Sequence, residues 1–184
     1  MPYSYPITDS KLYITITAAE NTKVDDINET LKQLDELVKG KTYQLFDADK
    51  IADQNHMYYA AANAQYALEN GNNISNKLDV ETLLYVSTQN QISKAIQLVG
   101  ISKETQRIAV AVITERENDP TATKIAEQLG DINDQILSMT PEKYESLKQL
   151  YEITETAIET VGSDKYRALS SLITEKSTLI SLRR

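Results

Sequence analysis

Residues 55–71, NHMYYAAANAQYALENG, and residues 79–101, DVETLLYVSTQNQISKAIQLVGI, decide how this chain folds. The first stretch carries Ala60, Ala61, Ala62, Ala64 and Ala67. Alanine is the strongest helix former, and its small side chain lets neighbouring elements approach closely. The spacing predicts a helix over 51–70 at the centre of the fold, stopped by Gly71 and the turn-forming Asn72 and Asn73. In the second stretch Asp79 suits an N-cap, and Leu83 and Leu84 supply an apolar face. After a break at 87–90, Ile92, Ala95, Ile96 and Val99 recur at i, i+3, i+4 and i+7, and Gly100 ends that helix.

The flanking segments read as strands and further helices. Residues 12–17, LYITIT, alternate and are β-branched, which predicts a strand with one buried face. Residues 24–38 place Ile27, Leu31, Leu34 and Val38 at helical spacing before Gly40, and 42–46 form a short second strand. Residues 108–113, IAVAVI, are continuously apolar, as befits a central strand buried on both faces. The remainder is helical. A helix over 118–130 starts near Pro120 and ends on a glycine. Thr140 and Pro141 make an N-cap and first-turn proline, with Tyr144 and Leu147 facing inward. Thr154 opens a short helix that stops at Gly162. Ser163 caps the last one, which carries Leu169, Leu172, Ile173, Leu179 and Ile180 on one side, with Leu182 continuing the apolar character. No linker or repeat interrupts 1–184. The fold class is therefore α+β: a single α-rich mixed domain with a small sheet of three or four strands packed by helices. The order of elements gives no regular βαβ repeat and so no Rossmann fold.

Composition narrows the function. The 184 residues suffice for one domain with a good core. The absence of Cys excludes disulfides, zinc ribbons and cysteine nucleophiles. No apolar stretch approaches the roughly 20 residues that cross a bilayer, and the N-terminus lacks a signal-peptide pattern, so a soluble cytoplasmic protein without a membrane partner is expected. A net charge of -8 argues against general nucleic-acid binding, which depends on neutralised phosphates. Eleven Tyr against one Phe favours rings with a polar tip, suited to half-buried and interface positions.

Catalytic signatures are missing. Neither GxGxxG, nor a Walker loop, nor GxSxG occurs. His56, the one imidazole, has Tyr59, Ala60 and Asn63 as its helical neighbours, which supply no metal ligand or triad partner. Asp47 and Asp49 follow a strand, where a capping role outweighs a magnesium site. No catalytic residue, cofactor or metal ligand is expected. Lys94, beside Asn90 and Gln91 at a helix start, is a candidate phosphate contact. The apolar stripe of the last helix either closes the core or docks a partner.

The ordered segments 56–61 (HMYYAA), 83–86 (LLYV), 91–96 (QISKAI) and 99–101 (VGI), followed by 140–143 (TPEK), 151–154 (YEIT) and 175–180 (EKSTLI), run through most of the chain. In them it resembles the PRPK-binding (TPRKB-like) protein family, the kinase-binding subunit of the KEOPS complex. The resemblance implies a non-catalytic subunit that binds and activates the complex's small atypical kinase. It also implies help in recruiting tRNA by its 3′ CCA end for threonylcarbamoyladenosine modification, and indirect contact with other KEOPS subunits. By position, the kinase contact falls to Leu172, Ile173, Leu179 and Ile180. The tRNA contact falls to Gln91 and Lys94, with His56. Asn90 stands where the family often has a basic residue, which weakens the phosphate contact there. Two other readings make different predictions: a stand-alone RNA-binding module with steep salt dependence, and a metal-dependent hydrolase centred on Asp47, Asp49 and His56.

Overall fold

The computed structural model describes residues 2–180. The chain runs β1 (Tyr3–Pro6), β2 (Tyr13–Glu20), α1 (Ile27–Val38), β3 (Thr42–Asp47), α2 (Gln54–Glu69), α3 (Leu78–Ser87), α4 (Ile92–Val99) and β4 (Ile108–Thr114). It continues through α5 (Thr121–Leu129), β5 (Asp131–Ile132), α6 (Pro141–Leu150), α7 (Glu155–Val161) and α8 (Lys165–Thr178). This is an α+β fold. The sheet is antiparallel in the order β1-β2-β4-β3, and the two-residue β5 pairs with the end of β2.

β4 sits between β2 and β3, where its unbroken apolar run belongs. Ala109, Ala111 and Ile113 face one layer of core, while Ile108, Val110 and Val112 face the other. Alternation on β2 likewise sends Ile14, Ile16 and Ala18 to the first face. That face is covered by α2, α3 and α4 through Met57, Ala61, Leu84, Val86, Ala95 and Val99. The opposite face is covered by α1 and α5 through Leu34, Val38, Ile125 and Ala126. A third cluster joins α6, α7 and α8, with Tyr144, Leu147, Tyr151, Ile158, Leu169 and Ile173 buried together.

α2 is central for the reason its composition suggests. Ala60, Ala61, Ala64 and Ala67 are all buried, and both α3 and α8 pack against this helix. Asp53 caps it by accepting a bond from the His56 N–H, so it begins three residues later than the alanine pattern suggests. Two other caps are displaced. α3 opens on Lys77, with Asp79 inside its first turn, and α8 is capped by Asp164 rather than Ser163. Thr140 and Thr154 cap α6 and α7 as expected. The turn from α5 into β5 requires a glycine: a Cβ on Gly130 would lie 2.3 Å from the Glu20 carbonyl oxygen. Leu182, expected to extend the C-terminal apolar run, lies outside the described residues.

Candidate partner-binding surfaces

His56 lies inside the fold, 0% exposed, which corrects its expected part in RNA contact. Its Nδ1 accepts a bond from the Ala52 N–H, so Nε2 carries the proton and donates to the Val86 carbonyl at 3.1 Å. The Tyr151 hydroxyl meets the same carbonyl and that of Lys50, and the two rings pack edge to face. Burial pushes the imidazole down to about 4, against the opposing field of Asp53. A neutral ring with both nitrogens engaged is a joint between α2, the end of α3 and α6.

The acidic pair after β3 is also structural. Asp47 Oδ1 accepts from the Asp49 N–H, and Asp49 pairs with Arg107 at 2.7 Å. With His56 committed to the backbone, the structure does not bring these three together. Among the described residues no group of three or more His, Asp or Glu is placed to hold a metal ion. Lys143, buried at the start of α6, donates to the carbonyls of Ile136 and Leu137. Burial lowers its ammonium to about 8.

Gln91 and Lys94 are both exposed at the start of α4. Gln91 is the N-cap residue and makes no side-chain cap bond. The first intrahelical bond is Ala95 N–H to Gln91 carbonyl. The N–H groups of Ile92, Ser93 and Lys94 therefore point out of the helix end without an intrahelical acceptor, the arrangement that favours an anion.

The last helix divides its apolar residues between two directions. Successive residues on a helix are turned by about 100°, so Leu172 and Ile173 cannot share a face. Ile173 and Ile180 are 0% and 2% exposed and belong to the core, which corrects their expected place on a docking surface. Leu172, half-buried against the third core cluster, and Leu179, seven residues on, align on a different side. Leu179 is 39% exposed. With Ile153 and Ala157 they line a shallow pocket of about 250 Å³ between α7 and α8, rimmed by Glu152, Glu175 and Lys176. The apolar spacing alone marks all four residues equally; the packing decides, with Ile173 in the third core cluster and Ile180 in the first.

Two further concavities were not legible in the sequence. A polar cleft of about 660 Å³ between α2 and α8 is lined by Tyr59, Tyr166, Arg167 and hydroxyl side chains, with Ser170 donating to Asp53. An apolar groove of about 360 Å³ lies beside β3. Ile92 and Ile96 line it, 41% and 51% exposed, whereas Ala95 and Val99 of the same helix are buried. The available signal was that α4 has two apolar rows, more than one core contact needs.

A family model described as Kinase binding protein CGI-121 matches residues 14–179. No curated protein sequence matches the chain. The match spans every helix, all of β3 and β4, and the third core cluster. The chain belongs to this kinase-binding family.

Proposed function

We propose that this member of the family is the kinase-binding regulatory subunit of a KEOPS tRNA-modifying complex. It holds the complex's small atypical kinase, raises the kinase's nucleotide hydrolysis, and helps recruit tRNA by its 3′ CCA end. The observation that carries this reading is the family match over residues 14–179. The kinase seats on the outward stripe of α8, with Leu172 and Leu179 as its apolar anchors and Ile153 and Ala157 beside them. An exposed Leu179 beside a half-buried Leu172, over a preformed pocket rimmed by charge, is the form a small interface anchor takes. Ile173, in the cluster against which Leu172 packs, supports that surface from beneath.

Gln91 and Lys94 are the tRNA contacts in this proposal. The open N-terminus of α4 supplies N–H donors to a phosphate, and Lys94 supplies charge. The net charge of -8 keeps affinity for nucleic acid low in general. Single-stranded ends are read by stacking and base-edge hydrogen bonds, which need few phosphate contacts.

The experiment is steady-state ATP hydrolysis by the kinase, alone and with this chain, repeated with tRNA and with tRNA trimmed of its CCA end. The proposal expects stimulation by the chain, and tRNA binding that weakens when CCA is removed. A kinase rate unchanged by saturating chain refutes the regulatory role. tRNA binding that is indifferent to the CCA end refutes the recruitment role separately.

A further inference from the structure

β3 is an edge strand, paired with β4 on one side and with no other strand among the described residues. The register fixes which of its backbone groups face outward. The Ala48 N–H donates to the Arg107 carbonyl. By antiparallel alternation, Phe46, Gln44 and Thr42 then exchange bonds with β4, and Tyr43 and Leu45 turn their N–H and C=O away from the sheet. The Leu45 carbonyl accepts a bond from the side-chain amide of Gln44, a local substitute for a neighbouring strand.

Helices overhang this edge from both faces of the sheet. α1 forms one wall with Ile27 and Leu31, and α3 and α4 form the other with Val80, Ile92 and Ile96. Tyr43, Gln44 and Leu45 are the floor of the groove between them. A docked helix satisfies its own backbone and leaves an outward strand edge unmet. An extended chain pairs with that edge and sends alternate side chains to the two apolar walls.

Charge selects among extended chains. Asp35 enters the groove from the α1 wall and Asp79 from the α3 wall. Asp35 accepts a bond from the Tyr43 hydroxyl at 2.8 Å. Burial, Asp35 and Asp79 together raise that hydroxyl well above its usual range, so both carboxylates act on the groove floor. The lining includes one cation, Lys77. The balance favours an incoming cation.

We propose that this groove is a strand-addition site for an extended segment of a partner protein that alternates apolar and basic residues. The segment pairs with Tyr43 and Leu45, displaces the Gln44 amide from the Leu45 carbonyl, packs its apolar side chains on Ile92 and Ile96 of one wall, and brings Lys or Arg to Asp35 on the other. The site is distinct from the pocket at Leu172 and Leu179 and does not depend on the kinase reading.

The test uses the whole chain and a short acetylated, amidated peptide of alternating valine and lysine. A second peptide is N-methylated on the residues whose N–H groups would face β3. NMR amide shift changes centred on Tyr43 and Leu45 are expected, with an affinity loss of about tenfold or more on N-methylation. Asp35→Asn and Ile96→Glu should each weaken the parent peptide; Ile96 is half exposed, so a circular dichroism spectrum matching wild type accompanies that result. Equal affinity for the methylated peptide, shifts mapping away from β3, or no binding at millimolar peptide overturns strand addition. A dimer of the chain alone that Ile96→Glu abolishes also overturns it, because a second copy would then cover the groove.

Discussion

Acidification from pH 7 to pH 5 should remove a calculable part of the stability, and His56 is the cause. Its folded value is about 4 against 6.5 for a free imidazole, with burial the largest contribution. Between those values the unfolded chain binds a proton that the folded chain refuses, so stability is present above pH 6.5 and is lost as pH falls toward 4. At about 1.4 kcal/mol per unit the full difference is about 3 kcal/mol, and about 2 kcal/mol of it is gone at pH 5. Protonation would leave Nδ1 as a second donor facing the Ala52 N–H donor in a fully buried site. The chain has a single His, so little else titrates between pH 5 and 6.5. Urea unfolding at pH 7, 6 and 5 measures the loss, compared with His56→Gln, an uncharged side chain that keeps a donor for Val86. Wild type should lose stability across the window while His56→Gln stays nearly flat at a lower value. Parallel curves for the two proteins would refute the assignment of the pH dependence to this ring.

Other consequences are simpler to check. Ile173→Ala, which empties a fully buried position, should cost about 2–5 kcal/mol in denaturant unfolding, and Leu179→Ala about 1 kcal/mol or less. Gly130→Ala must push α5 away from the Glu20 carbonyl and should cost about 1–3 kcal/mol in thermal or urea unfolding. Lys94→Glu should weaken tRNA binding in filter or fluorescence titration and lower the salt slope by about one, if the α4 terminus holds a phosphate.

The parts of the fold that were legible are those fixed by local chemistry. The continuous IAVAVI run marked the central strand, the alanines marked the central helix, and Thr140-Pro141 and Thr154 marked two helix starts. Short elements held by their neighbours left no such trace. β1 is four residues ending in Pro6, and β5 is two residues that owe their pairing to Gly130 and β2. The candidate site divides in the same way. The exposure of Gln91 and Lys94 follows from a polar helix start. The burial of His56 depends on Val86, thirty residues away, and on Tyr151, neither of which helical spacing reveals. The division of the last helix into a fully buried Ile173 and a half-buried Leu172 is set by α2, α6 and α7, which pack on it from elsewhere in the chain.

The central claim is that the outward stripe of α8 docks the kinase. Titration calorimetry of the small KEOPS kinase against the wild-type chain and against a folded Leu179→Arg variant tests it most directly, with circular dichroism and unfolding confirming the variant's fold. The account predicts saturable binding by wild type and a loss of about a hundredfold or more in the variant, a desolvated apolar anchor having been replaced by a charge. Undiminished binding by Leu179→Arg, or no binding by the wild-type chain, would contradict it.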